Sequence, residues 1–317
     1  MKIIVPDFVL PQLEKNPCPL ARACTYVAMD PEGTLAGDPQ GAEVIMLPWK
    51  VPETTMQALL DLPTLKWIHL ISAGVEHALD DRLRALPVVL TNARGIFDLP
   101  IAETVLAYIL MIVKRLPDFL RQQASHTWKK LPLREAAGLT VGLIGAGSIA
   151  TEIARRCKAI GMHVIAIRRH PEKAASYVDR VFPGEQLETL LSMADFVVIA
   201  VPLTPETRGI IGAAQLQQMR PDAWLINIAR GAVVDEEALI RALQHKQIAG
   251  AALDVFTTEP LPAESPLWEM EQVIITPHNS WSTPSLEERE AALFLENLER
   301  YLNGRPLRNI VDKTLGY

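Results

Sequence analysis

Apolar runs of strand length recur along almost the whole chain, separated by stretches of helical periodicity or by turns rich in Pro and Gly. Before residue 91 the runs are IIV, EVIML, LKWIHLI and VVLTN. Each is short and bounded by turn signals, so an open α/β lobe is expected. Near Asp98 the pattern changes: residues 101–116 (IAETVLAYILMIVKRL) are apolar nearly all round. This predicts a long helix covered on several sides, with Asp98 as its N-cap and Pro100 accommodated in the first turn. The polar and aromatic stretch that follows, RQQASHTWKKLPL, reads as an arm that either wraps a second copy of the chain or lies on the surface. From Leu139 the alternation resumes with TVGLIG, HVIAI, FVVIAV, AWLINIA, GAALDVF and VIITP, and helical segments over 149–160, 187–193, 213–219 and 236–244 fill the gaps. Strands alternating with helices imply a doubly wound parallel sheet. A last amphipathic helix over 285–303 stops at Gly304, and the tail PLRNIVDKTLGY returns to the first lobe. The reading is two α/β lobes with doubly wound parallel sheets, residues 1–94 with 284–317 and residues 95–283.

Length agrees, since 317 residues suit two domains. The hydrophobic fraction of 49% and the charged fraction of 21% are those of a globular protein, and no apolar run approaches the roughly 20 residues of a membrane span. The opening MKIIVPDFVL is broken by Pro6 and Asp7 and reads as a strand, not a secretory signal, so a cytoplasmic location is expected. A net charge of −6 argues against a nucleic-acid-binding surface. Cys18, Cys24 and Cys157 have neither disulfide nor metal-type spacing and are expected to be buried thiols, with no metal site.

The strongest local motif is Gly145-Ala146-Gly147-Ser148-Ile149-Ala150, directly after an apolar run and before a helix. In that context Gly145 permits a tight turn, Gly147 lets backbone approach a pyrophosphate, and the small Ala150 allows close packing of helix on strand. The helix N-terminus adds N–H groups and partial positive charge. Residues 95–283 are therefore expected to form a Rossmann-type dinucleotide-binding domain, beside a flavodoxin-like substrate domain. An NAD-binding fold places an acid about 20 residues on to bond the ribose hydroxyls. Here the run VIAI ends on Arg168, Arg169 and His170, with Arg168 23 positions after Gly145. Guanidinium groups pair with a 2′-phosphate that a carboxylate would repel. NADP(H) is the expected cofactor, with Arg168 and Arg169 as its phosphate clamp; if both lie in a solvated loop, NAD(H) remains open.

Three further residues each follow an apolar run: Arg230 in INIARGAVVDEEAL, Glu259 in ALDVFTTEPL and His278 in VIITPHNSW. Strand exits form the rim where open α/β sheets bind ligands. Together they fit hydride transfer to a ketone beside a carboxylate. His278 would give a proton to the carbonyl oxygen, Glu259 would hold the imidazole, and Arg230 would bind the carboxylate and polarise the carbonyl. Trp49 (MLPWK) and Trp281 (HNSW) are candidate walls of a substrate side-chain pocket, or core aromatics.

These residues, with GAGSIA, VPLTPETRGII, ALDVFTTEPLP and TPHNS in this order, resemble the D-isomer-specific 2-hydroxyacid dehydrogenase family. The resemblance covers nearly the whole chain. It implies that Arg230, Glu259 and His278 are catalytic, that Asp254 faces the nicotinamide carboxamide, and that Val201 and Pro202 line the adenine end. It also implies that Ser148 and Ile149 lie against the pyrophosphate and that backbone N–H groups of Ala73, Gly74 and Val75 help to hold the substrate carboxylate. Where the family's commoner loop continues Gly-Val with Gly and Asp, this chain has Glu76 and His77, which is similar to the glyoxylate and hydroxypyruvate reductase branch. A homodimer and a small 2-keto acid or 2-hydroxy acid substrate are the implied partners. The same fold also serves dinucleotide-sensing binding proteins, for which the Arg, Glu and His set is unnecessary.

Overall fold

The computed structural model describes residues 1–15, 19–169 and 177–316; His170 and Cys18 fall outside them. The chain divides into two compact units, Met1–Phe97 with Ser282–Tyr317, and Asp98–Trp281. The joins lie within three residues of the expected 94/95 and 283/284.

In the first unit the elements run β1 (Lys2–Pro6), α1 (Leu10–Lys15), α2 (Pro19–Arg22), β2 (Thr25–Met29), β3 (Ala42–Leu47), α3 (Glu53–Leu60), β4 (Trp67–Leu70), α4 (Asp81–Ala85) and β5 (Val89–Asn92). The sheet order is β2-β1-β3-β4-β5 with every pair parallel, the flavodoxin-like doubly wound arrangement. Its strands bury both faces, as parallel strands must. Ile4, Ile45 and Ile68 point to one apolar layer with Leu59 and Leu83, while Ile3, Val44 and Trp67 point to the other. That second layer is closed by a helix from the C-terminal part of the chain, whose Phe294 stacks on Trp67 at 5.3 Å between ring centroids. The tail then bonds to β5, with the Val311 N–H donating to Leu90 O at 2.8 Å.

The second unit runs α5 (Asp98–Val113), α6 (Leu116–Ala124), β6 (Thr140–Ile144), α7 (Ser148–Ala159), β7 (His163–Ile167), β8 (Arg180–Phe182), α8 (Leu187–Met193), β9 (Phe196–Ile199), α9 (Ala213–Gln218), β10 (Trp224–Asn227), α10 (Glu236–Gln244), β11 (Gly250–Leu253) and β12 (Val273–Ile275). The final helix, α11 (Leu286–Leu302), belongs to the first unit. The second sheet is parallel throughout, in the order β12-β11-β10-β9-β6-β7-β8. Taken from β8 this is the 3-2-1-4-5-6 order of dinucleotide-binding sheets with one strand added. The two expected doubly wound α/β sheets are therefore both present.

Some local expectations need correction. Asp98 lies within the first turn of α5 instead of capping it. The arm is not wholly irregular, because LPDFLRQQA forms α6. The edge strands β2 and β8 had no counterpart among the apolar runs. Cys157 is buried, its thiol pushed up to about 12 by that burial, but Cys24 is only half-buried.

Two polar groups sit deep in the first unit. His69 is wholly buried, its Nδ1 2.8 Å from the Thr91 hydroxyl that also accepts the Trp67 Nε1–H; burial pushes its pKa down to about 3, so it is neutral. Glu290 on α11 is buried, and its Oε2 has no hydrogen-bond partner among the described residues. Burial, with Glu287 as the smaller cause, pushes its carboxyl up to about 8. The folded chain thus holds a proton that the unfolded chain releases near 4.5. Stability should fall as pH rises through the window from that value to about 8, at up to about 1.4 kcal/mol per pH unit, and level off above it. The uncharged Glu290→Gln variant lacks this slope. In urea denaturation it should gain about 2 kcal/mol on the parent between pH 6 and pH 8.5; parallel pH dependence of the two proteins would count against a protonated Glu290.

Candidate active site

The second sheet is punctuated at its carboxyl edge by residues whose placement follows from backbone constraints. At the exit of β6, Gly145 has φ +105°, and a Cβ there would stand 2.6 Å from Ala200 O and 3.0 Å from Val201 Cγ1. No larger residue allows the β6 turn to lie this close to the exit of β9, which is the point where the strand order reverses. Gly147 precedes α7 in an extended conformation with no side-chain cap, and a Cβ on it would meet nothing within 4 Å. The first turn of α7 therefore presents backbone N–H groups that no capping side chain takes, an arrangement that fits a pyrophosphate. Ile149 lies in that turn. The hydroxyl of Ser148 donates to Asp98 Oδ1 at 3.1 Å, so this side chain joins α7 to α5.

Arg168 follows β7 with its N–H donating to Phe182 O at 3.0 Å, and is half-buried; Arg169 is exposed. Among the described residues no acid occupies the exit of β7. Across from it, Val201 and Pro202 follow β9, and the loop behind them is braced by the Thr207 hydroxyl donating to Pro202 O at 2.6 Å. Glu206 in this loop is held below the usual carboxylate range by the Thr204 hydroxyl first, and in smaller part by the positive charge of Arg169. The residues at these two exits fit a dinucleotide bearing an extra phosphate.

Further along the edge, Arg230 follows β10. Asn227 Nδ2 donates to its carbonyl at 3.1 Å, and its Nη1 donates to Ala229 O at 2.7 Å. The next residue, Gly231, touches the neighbouring strand exit so closely that a Cβ would fall 1.9 Å from the carbonyl carbon of Phe256. This contact draws the Arg230 loop against the loop that carries Glu259. There the Glu259 carboxylate accepts the Phe256 N–H on Oε1 at 2.9 Å, and Oε2 lies 2.8 Å from His278 Nδ1. Glu236, in the first turn of α10, accepts the Thr257 N–H at 2.9 Å and fixes the same loop.

His278 follows β12 with φ +50°, a conformation that costs a non-glycine residue about 1–3 kcal/mol. Its N–H donates to Asp254 O at 2.7 Å, and the Trp281 Nε1–H donates to His278 O at 2.8 Å. The Asp254 side chain is fully buried and accepts from the Thr276 hydroxyl at 2.5 Å, the Asn279 N–H at 3.0 Å and the Ser280 N–H at 3.1 Å. Because Thr276 donates to Asp254, the short Tyr108–Thr276 contact must have Tyr108 as donor. Burial, the largest cause, raises Tyr108 to about 12 and keeps that donor protonated. The Asp254 oxygens are thus occupied with the His278 loop, whatever else they meet.

The structure therefore brings Arg230, Asp254, Glu259, His278 and Trp281 onto adjacent strand exits of one sheet. Sequence reasoning missed Gly231, Tyr108, Thr276 and Asn227, and gave Asp98 only a capping role. For Gly231 a signal existed, a glycine directly after a strand-exit arginine; Tyr108, Thr276 and Asp98 have partners remote in sequence, while Asn227 bonds to Ala229 and Arg230 just after it. In the first unit, Ala73, Gly74 and Val75 form a loop after β4, tied by Asn92 Nδ2 donating to Ala73 O at 2.7 Å and Ser72 Oγ donating to Gly74 O at 2.7 Å. Trp49 follows β3 and stacks on His77.

A dinucleotide-type sheet with a carboxylate–histidine pair and an arginine at its strand exits defines an oxidoreductase of the hydroxy acid and keto acid class. Residues 106–280 match the sequence model described as D-isomer specific 2-hydroxyacid dehydrogenase, NAD binding domain. The chain belongs to the D-isomer specific 2-hydroxyacid dehydrogenase family. It is similar to a glycerate dehydrogenase of Methylorubrum extorquens, 32% identical over 284 residues, 86% of each chain. It is also similar to glyoxylate/hydroxypyruvate reductase B of Salmonella agona, 36% identical over 269 residues, 82% of each chain. Among solved structures, a D-isomer specific 2-hydroxyacid dehydrogenase from Xanthobacter autotrophicus in complex with NADPH and MES matches with a TM-score of 0.89 at 32% identity, covering 100% of this chain and 99% of that one. The NADPH-dependent glyoxylate/hydroxypyruvate reductase of Sinorhizobium meliloti, in complex with NADP and sulfate, matches at 0.86 and 28% identity over the same shares. The chain is accordingly an oxidoreductase acting on 2-hydroxy acids or their keto counterparts.

Gly231→Ala tests the close contact between the two strand-exit loops. The added methyl cannot be accommodated without moving Phe256 or Arg230, so stability should fall by about 1–3 kcal/mol or more and turnover should drop steeply. Parent-like turnover and melting temperature would mean that the contact is not needed.

Proposed function

We propose that the chain reduces small 2-keto acids to D-2-hydroxy acids with NADPH, and that glyoxylate and hydroxypyruvate, named in its relatives, are the substrates to assay first. The observation that carries this reading is the His278–Glu259 contact of 2.8 Å at the edge of a dinucleotide-type sheet. With Nδ1 turned to Glu259, the Nε2 side of His278 is the one that passes a proton to the substrate oxygen. Glu259 fixes the tautomer and ring orientation and stabilises the positive charge of the protonated imidazole. Arg230 neutralises the substrate carboxylate and polarises the adjacent carbonyl, with the N–H groups of Ala73, Gly74 and Val75 as further carboxylate donors. Gly145, Gly147, Ser148 and Ile149 hold the pyrophosphate, Val201 and Pro202 the adenine, and Arg168 and Arg169 the 2′-phosphate. When bound, the dinucleotide supplies the hydride. A sensor would need no proton donor aimed at a reacting oxygen, so the pair favours turnover.

A second copy of the chain is proposed as the protein partner. Leu116, Leu120 and Leu133 are exposed around α6 and the segment after it, and Trp128 is 98% exposed. Leu106, Leu110, Met111 and Ile112 on α5 remain only half-buried. So much apolar surface on one stretch is the mark of an interface. Among the described residues no helix is long and apolar enough to cross a membrane.

Initial rates with NADPH and NADH in parallel test the cofactor reading. Removing a charge-assisted contact costs about 1.5–3 kcal/mol, so Arg168→Asp should raise the KM for NADPH about tenfold or more while NADH changes little; an unchanged KM would remove Arg168 from the phosphate site. Light scattering should give twice the 35.1 kDa chain mass, and Trp128→Glu should reduce it toward the single chain. A monomeric parent would dispose of the dimer.

A further inference from the structure

The first unit contains a cavity of its own, about 490 Å³, where β3 and β4 end. Small-molecule sites span roughly 300–1,000 Å³, so it is large enough for an organic side chain. Its lining is mostly apolar: Leu47 and Leu70 close the two strands, and Val51 and Met56 stand on the segment and helix between them. Both of the latter pack against the buried core of the unit. Trp49 and His77 also line it and stack on one another, with ring centroids 4.5 Å apart and planes inclined by 19°. Trp49 is nonetheless 43% exposed, a large aromatic surface left open beside an apolar hollow.

His77 and Ala78 of this lining belong to the same loop as Ala73, Gly74 and Val75. That loop is rigidly tied, since Ser72 Oγ bonds Gly74 O and lies 3.5 Å from His77 Nε2. The N–H groups assigned to the substrate carboxylate and the wall of the cavity are therefore parts of one braced turn. A substrate anchored at 73–75 has the cavity as its immediate neighbour.

We infer that this cavity receives the substrate side chain, and that the preferred substrates are 2-keto acids carrying an extended apolar or aromatic group, held against the Trp49–His77 stack. The inference rests on the reductase reading above and extends it to a substrate class. Glyoxylate bears only hydrogen at this position and would leave the apolar walls to water. Phenylpyruvate places a flat ring where the stack offers a flat partner. Lys50 also borders the cavity, so a 2-keto acid with a distal carboxylate is the competitor to be tested.

The test measures kcat/KM with saturating NADPH for glyoxylate, phenylpyruvate, 4-methyl-2-oxopentanoate and 2-oxoglutarate. It uses the full chain and two variants that fill the cavity, Met56→Trp and Val51→Phe. A pocket that gains even one methylene discriminates about tenfold or more, so the parent should favour phenylpyruvate over glyoxylate by at least that factor. Each filling variant should lower the ratio of phenylpyruvate to glyoxylate kcat/KM by about tenfold. The glyoxylate rate also reports that a variant is folded. Turnover of glyoxylate without that of phenylpyruvate, a preference for 2-oxoglutarate, or equal losses on both substrates in both folded variants would overturn the assignment while leaving the reductase intact. Absence of turnover on all four acids would overturn the reductase reading itself.

Discussion

The reacting end of the second unit depends on one buried carboxylate. Asp254 closes β11 with no solvent exposure, and a carboxyl group in such a place is costly unless its oxygens are satisfied. Here the Thr276 hydroxyl and the N–H groups of Asn279 and Ser280 satisfy them, while the Asp254 carbonyl accepts the N–H of His278. These bonds bend the chain after β12 around Asp254 and hold His278 in its left-handed conformation. From there its ring reaches Glu259. The proton-transferring pair is thus set by a residue that itself carries out no proton transfer in the proposed reaction.

Gly231 supplies the complementary constraint. Backbone at the exits of β10 and β11 is in direct contact there, so Arg230 and Glu259 are brought near one another by the absence of a side chain between them. Asp254 ties the β12 exit to β11, and Gly231 presses the β10 exit onto β11. Three residues separated along the chain become neighbours because three parallel strands end together and their loops are joined in pairs.

Much of this was legible in the sequence because the physics is local. The glycine turn announces itself through residues that only a tight, close-approaching backbone requires. Arg230, Glu259 and His278 each follow an apolar run, which marks a strand exit, and the alternation of runs with helical stretches restricts parallel sheets to few strand orders. Other features were not legible. β2 and β8 are edge strands, partly exposed and, in RVF, only three residues long, so neither shows a strong apolar run. α6 is only nine residues long, carries a proline in its first turn and has no side-chain cap, so its amphipathic pattern was too short to separate it from the arm that follows. The Ser148–Asp98 and Tyr108–Thr276 bonds join residues 50 and 168 positions apart. No local pattern marks such a pair.

The placement of these constraints separates chemistry from selectivity. The proposed acid–base and carboxylate-binding groups of the second unit are locked by buried hydrogen bonds and a backbone contact, so substitutions there disturb the sheet edge as a whole. The residues proposed to distinguish one ligand from another stand elsewhere: Arg168 and Arg169 after β7, and Trp49, Val51, Met56 and His77 around the cavity of the first unit. Their side chains stand in loops or in partly exposed positions. Cofactor and substrate preference can therefore change at these positions without rebuilding the reacting centre. Relatives 32% and 36% identical to this chain bear the names of a glycerate dehydrogenase and a glyoxylate/hydroxypyruvate reductase, a divergence that such a division of labour accommodates.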